Sequence, residues 1–126
     1  MALKKFFRFG PLALTNTLTT NILNPGTTTG GVNGSGGVYA NLIIVLTHIR
    51  IVNKTAGAVT FSLWIGATGA NAAGTEFIGT GQSIAANSAY DFYTPGVVLR
   101  IADFLVGGAS ASTSLTIEGT GEIGVD

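Results

Sequence analysis

The sequence contains one histidine, His48, and no cysteine. Any Ser-His-Asp triad, histidine metal cluster or imidazole proton relay would therefore depend on His48, while thiolate catalysis and cysteine-ligated zinc are excluded. His48 lies close to Arg50 on the polar side of an alternating segment, with no nucleophile or second base at the spacing of a known motif. We interpret it as a solvent-facing or interface residue, and we predict no catalytic residue.

Six carboxylates lie in the second half of the chain, and glycoside hydrolysis needs a pair of such groups. None of them belongs to a recognisable local motif, and no Asp-x-Asp-x-Asp-Gly calcium loop is present. Solvation or turn capping accounts for them, so the sequence predicts neither a metal site nor a cofactor. The six are Glu76, Asp91, Asp103, Glu118, Glu122 and Asp126.

Residues 27–37, TTTGGVNGSGG, contain five glycines, which invites comparison with phosphate-binding loops. No Gly-Lys-Ser/Thr sequence follows these glycines, and no strand-helix-strand unit surrounds them. We predict a mobile loop, or one that a partner orders.

Aromatic side chains suggest a second kind of site, because their faces stack on sugar rings. Trp64 lies opposite the apolar side of its predicted strand, and Tyr90, Phe92 and Tyr93 follow later in the chain. Tryptophan is enriched at protein interfaces, which favours a subunit contact over a glycan platform. We predict Trp64 and Tyr93 as interface residues, with carbohydrate binding as the alternative.

The first nine residues combine three cations with three phenylalanines before Gly10-Pro11 interrupts the chain. Arg8, Gly10 and Pro11 also interrupt the apolar run that a secretory signal needs. We predict an N-terminal arm over residues 1–9 that docks on a partner, with a frayed or self-packed segment as the alternative. Three cations are a weak footprint for nucleic acid, so none is predicted as a partner. The predicted partner-binding residues are Lys4, Lys5, Phe6, Phe7, Arg8 and Phe9.

Length and composition indicate one domain, residues 10–126, that is largely covered by neighbouring subunits. The chain has 126 residues, 46% of them hydrophobic and only 10% charged, with a formal net charge of zero. Typical soluble domains carry about 25% charged residues, and low charge is tolerable where contacts are permanent. The longest apolar run, residues 42–46, is far shorter than the roughly 20 residues of a membrane span. We therefore predict a homo-oligomer without a membrane partner.

Residues 48–66, HIRIVNKTAGAVTFSLWIG, hold two alternating segments joined by a polar turn. Ile49 and Ile51 share one side, and Val59, Phe61 and Leu63 repeat the pattern, which predicts a β-hairpin. Pro95-Gly96 predicts a second turn between antiparallel strands. Eight or nine short strands and no capped amphipathic helix predict an all-β fold, an antiparallel β-sandwich or jelly roll.

Two segments carry a resemblance to a known group, IVNKTAGAVTFSLWIG and SIAANSAYDFYTPGVVLRIADFLVGGASASTSLTIEGTGEI. Over residues 48–123 the chain resembles small virion proteins of tailed bacteriophages. The resemblance implies a β-sandwich that decorates or cements a capsid, or that belongs to the neck, tail or fibre, with the major capsid protein or other virion subunits as its partner. It also implies location in the virion and suggests a trimer. The basic, aromatic start and the glycine-rich segment depart from the pattern of the group.

Overall fold

The computed structural model describes residues 3–25 and 42–125, and within these residues it contains eight strands and no helix. No helix in this described part is long and apolar enough to cross a bilayer. The glycine-rich segment 27–37 lies outside the described residues. The strands are β1 (Leu3–Ala13), β2 (Asn21–Leu23), β3 (Leu42–Asn53), β4 (Val59–Gly66), β5 (Glu76–Ile84), β6 (Ser88–Leu99), β7 (Phe104–Ala109) and β8 (Leu115–Val125).

The strands form two four-stranded antiparallel sheets that pack face to face. The first sheet has the order β1-β8-β3-β6 and the second the order β2-β7-β4-β5. Every connection between consecutive strands crosses from one sheet to the other, except the one between β4 and β5. This is the arrangement of a jelly roll. The predicted all-β sandwich is therefore confirmed.

The core lies between the two sheets and is made by alternate residues of each strand. Side chains on the inner faces are almost fully buried, as a period of two requires when one side of each sheet is covered. The first sheet contributes Phe7, Phe9, Ile44, Leu46, Ile49, Ile51, Leu99, Leu115, Ile117 and Ile123, and the second contributes Ile22, Leu23, Val59, Phe61, Leu63, Ile84, Leu105 and Ala109.

The predicted hairpin over residues 48–66 is wrong, although both of its strands exist. Strand β3 pairs with β6 and β8, whereas β4 pairs with β5 and β7 in the opposite sheet. Ile49 and Ile51 therefore contribute to the core from one sheet, and Phe61 and Leu63 from the other. An alternating pattern shows which side chains are buried, but it does not show whether the next strand lies beside the first or across the core from it.

The side chain of Asn53 holds this crossing in place from a fully buried position. Its amide nitrogen donates to the carbonyl oxygens of Gly57, Ile84 and Ala85 at 2.9, 3.0 and 3.2 Å. Its side-chain oxygen accepts hydrogen bonds from the backbone N–H and the hydroxyl of Thr55 at 2.9 and 2.7 Å. One side chain thus links the β3–β4 connection to the last residue of β5 and to the residue that follows it.

Pro95-Gly96 does not form a turn, which corrects the second turn prediction. Strand β6 continues through these residues. Its register with β3 shifts there, because one residue of β3, Thr47, lies opposite the three residues of β6 between Tyr93 and Val97. This β-bulge lies on an edge strand, where proline, which has no N–H, interrupts no pairing on the solvent side. The pairing of β5 with β4 is also irregular, because its register shifts between Phe61 and Leu63.

The predicted N-terminal arm is corrected too, because β1 begins at Leu3 and pairs along β8. Phe7 faces Gly121 across this pair and Phe9 faces Gly119. A Cβ atom on Gly119 would collide with the Phe9 ring, and one on Gly121 would collide with the Val45 carbonyl. Gly119 therefore makes room for the Phe9 ring, and Gly121 allows the close approach of the β3 backbone. Residues 3–9 belong to the sandwich.

Candidate interaction surface

The solvent side of the first sheet, called here the outer face, presents three rows of side chains that run across its strands. Strand registers place directly opposite residues in the same row, and their side chains project on the same side. The rows are Phe6, Glu122, Val45 and Val98; then Arg8, Thr120, His48 and Tyr93; then Glu118, Arg50 and Asp91.

Polar and aromatic contacts organise the middle of the outer face. His48 Nε2 lies 2.8 Å from Oδ1 of Asp91, and an Arg50 guanidinium nitrogen lies 3.8 Å from the same oxygen. The His48 ring stacks on Tyr93 with centroids 4.4 Å apart and an angle of 14° between the rings. These contacts fix the directions of four side chains on two neighbouring strands.

Two aromatic side chains on the outer face remain largely in water. Phe6 is 91% exposed and Tyr93 is 72% exposed, and they lie on the two edge strands β1 and β6. Val98 on β6 adds a third exposed apolar side chain. Because these three side chains project from the same face of one sheet, the outer face is the candidate contact surface.

The structure describes the side chains of four of the six predicted partner-binding residues, and these four divide into two groups. Phe6 and Arg8 project into solvent and stay candidates for contact with a partner. Phe7 and Phe9 are core residues, with 9% and 0% exposure, so they do not anchor the chain to another protein. Lys4 and Lys5 lie in β1, and their side chains are outside the described part. The sequence places them next to Phe6 on the same strand.

The structure does not bring the two predicted interface aromatics together. Trp64 lies in β4 of the second sheet and is only 7% exposed, whereas Tyr93 lies in β6 of the first sheet. The expectation that Trp64 forms an interface is therefore corrected, because almost all of its surface is already covered by its own chain. A sugar platform built from Trp64 and Tyr93 together is excluded by the same placement.

Little in the described part of the chain is arranged for covalent chemistry. His48 is held by the Asp91 carboxylate and the Tyr93 ring, and its recorded contacts include no hydroxyl nucleophile. No group of three or more histidine, cysteine or carboxylate side chains that could hold a metal occurs among the described residues. What this surface offers is aromatic area together with paired charges, and these are the elements of binding.

Comparison with solved structures finds a similar fold in one viral coat protein. The chain superposes on the coat protein of Tobacco streak virus with a TM-score of 0.50 at 12% sequence identity, covering 97% of this chain and 85% of that one. The two chains share a fold. A second structure of the same protein, solved as a dimer, gives a TM-score of 0.49 at 14% identity, covering 98% and 86%. No protein-family model and no curated protein matches the sequence.

Asp91 belongs to the outer face, although sequence reasoning assigned it to solvation or turn capping. Its contact with His48 joins residues 43 positions apart, and only the register of β3 with β6 brings them together. The available signal was the alternation of Ala89, Asp91 and Tyr93 with Tyr90 and Phe92, which marks the solvent side of β6.

Replacing Tyr93 tests whether the outer face is free of a folding role. We expect Tyr93→Ala to lower the free energy of unfolding by only about 0.5–1 kcal/mol, because the ring is mostly exposed and loses one cross-strand aromatic contact. Urea denaturation followed by circular dichroism measures this change. A loss above about 3 kcal/mol, the size of a core truncation, would show that Tyr93 is a core residue and contradict the assignment.

Proposed function

We propose that this protein is a structural subunit of a virion, and that its role is decoration, or cementing, of a tailed-bacteriophage capsid. The observation that carries the proposal is the outer face, where one sheet holds Phe6 and Tyr93 in solvent on the same side as the contacts of Asp91 with His48 and Arg50. The jelly roll is used in capsid subunits, and the sequence resembles small phage virion proteins. A neck, tail or fibre subunit is the variant that the same surface supports.

The proposed mechanism is stabilisation of an assembled shell by binding across its subunits. A jelly roll that contacts two neighbouring capsomers buries surface that separate capsomers would expose. Because it binds the assembled state and not the dissociated one, it raises the stability of the shell in proportion to RT ln(1 + [L]/Kd). A low content of charged residues suits a surface that is permanently covered.

Adding purified protein to particles produced without it tests this function. We expect the protein to sediment with the particles and to raise the temperature at which they release DNA. Phe6→Ser should weaken binding roughly thirtyfold, which corresponds to the loss of an aromatic hot spot worth about 2 kcal/mol. Leu18→Ser is the matched control, since Leu18 is 39% exposed and lies in the loop before β2, away from the outer face.

The outcome that rejects the proposal is equally direct. If the wild-type protein stays in the supernatant at every concentration and leaves the melting of the particles unchanged, it is not a decoration protein of that shell. If Phe6→Ser and Leu18→Ser weaken sedimentation with the particles equally, the decoration role stands, but the outer face does not mediate the binding.

A further inference from the structure

The first sheet ends in two strands, β1 and β6, whose outer edges pair with no other strand in the described part of the chain. An unpaired edge presents free backbone N–H and C=O groups, and a second chain can add a strand to it. Strand β1 is antiparallel to β8, β8 to β3, and β3 to β6, so β1 and β6 run in opposite directions. The β1 edge of one molecule and the β6 edge of another are thus oriented for antiparallel pairing within a continuous sheet.

Side chains on the outer face select one register for such a pair. When Arg8 stands opposite Asp91, antiparallel geometry puts Phe6 opposite Tyr93. The cation then meets a carboxylate, and Phe6 meets Tyr93, which are the two most exposed aromatic residues among those that the structure describes. A shift of two residues in one direction puts Arg8 opposite Tyr93, and a shift in the other puts Phe6 opposite Asp91, so both favourable pairs are lost.

The strand irregularities fit this register. Regular pairing of β1 ends at Phe9, before the shift at Gly10-Pro11, and the bulge of β6 begins after Tyr93. The segment from Phe6 to Phe9 therefore faces the segment from Tyr90 to Tyr93, and neither contains a bulge. The interruptions lie at the ends of the matched segment, where they do not disturb its hydrogen bonds.

The charged groups are available for this contact. Both ion-pair contacts of Asp91 within the described part of the chain use Oδ1, so Oδ2 can accept a hydrogen bond from a second molecule. Arg8 is exposed, and within the described part of the chain it contacts no carboxylate. An arginine from a second molecule can therefore bind Asp91 without displacing His48 or Arg50.

We propose that the β1 edge of one molecule binds the β6 edge of a second copy, with Phe6 against Tyr93 and Arg8 against Asp91. The contact joins two different surfaces, so it is repeated from copy to copy and closes into a ring or continues as a fibre. A trimer is the ring that the sequence resemblance suggests. This inference deepens the proposed function by naming a second copy as the partner of the exposed β1 residues.

Exchanging the two charges tests the contact in purified protein. We expect wild-type protein to form oligomers in sedimentation-velocity ultracentrifugation, and Arg8→Glu and Asp91→Lys each to weaken association roughly tenfold or more. The double variant carrying both changes should restore association, because glutamate then faces lysine. Phe6→Ser should also weaken association roughly tenfold or more, whereas Leu18→Ser and Lys54→Glu serve as unchanged controls. Circular dichroism of each variant separates loss of association from loss of folding.

Two results would overturn the proposal. Wild-type protein that stays monomeric close to its solubility limit would exclude this contact, and so would a folded double variant that associates no better than either single variant. Neither result depends on particles. If the protein is monomeric and still sediments with capsids, only the copy-to-copy contact is rejected. If it forms oligomers that do not bind capsids, only the proposed function is rejected.

Discussion

Deletion of residues 1–9 is expected to abolish cooperative folding. The deletion removes most of β1 and exposes the edge of β8 with its glycines, and it takes away the core side chains Phe7 and Phe9. Truncating one buried phenylalanine to alanine costs about 3–5 kcal/mol, and a domain of this size has about 5–15 kcal/mol in total. Circular dichroism and thermal melting of the truncated chain measure the effect.

Single substitutions in the full-length chain show whether the loss of stability comes from lost core packing or from shortening of the chain. Phe9→Ala should lower the free energy of unfolding by about 3–5 kcal/mol, since Phe9 is fully buried against Gly119. Phe6→Ser should change it by less than about 0.5 kcal/mol, because Phe6 is exposed on the same strand. A truncated chain that melts cooperatively at the wild-type temperature would show that residues 1–9 are a dispensable arm.

Replacement of Asn53 is expected to give the second large loss. Asn53→Ala removes five hydrogen bonds at a buried position and takes one donor from each of the Gly57, Ile84 and Ala85 carbonyls, of which the Gly57 carbonyl keeps the Thr55 hydroxyl. Each buried polar group left unsatisfied costs roughly 1–3 kcal/mol, and the costs are not additive. We expect a loss of about 2–4 kcal/mol, which corresponds to a fall in melting temperature of roughly 10 °C.

An exposed asparagine provides the comparison for this experiment. Asn71 lies exposed in the loop between β4 and β5, and Asn71→Ala should leave urea-denaturation midpoints within error of wild type. Asn53→Ala with the same midpoint as Asn71→Ala would mean that Asn53 does not hold the β3–β4 connection.

Sequence periodicity predicted core residues of β3 and β4 correctly. Ile49, Ile51, Phe61 and Leu63 are all buried, as their alternation indicated. Their sheet membership was not predictable, because a strand beside its neighbour and a strand across the core show the same alternation. Pro95-Gly96 was ambiguous for a related reason, since a turn and an edge-strand bulge both accept proline followed by glycine.

The N-terminal strand was not predicted, because the apolar Phe6 directly before Phe7 obscures the apolar-polar alternation of the residues that follow. Phe7 and Phe9 point inward and Arg8 points outward, but an exposed phenylalanine beside them gives the segment the appearance of an apolar cluster. Gly119, which makes room for the Phe9 ring, lies more than 100 positions away in β8. The outer face depends in the same way on registers between distant strands, so its residues were recognised singly and not as a surface.

Cryo-electron microscopy of particles from an infected culture that produces this protein is the most direct test of the proposed virion role. We expect many copies of the jelly roll on the shell, with the outer face in contact with neighbouring subunits. A few copies confined to one vertex would move the protein to the neck or tail. Particles that contain no copy of it would contradict the proposed virion role.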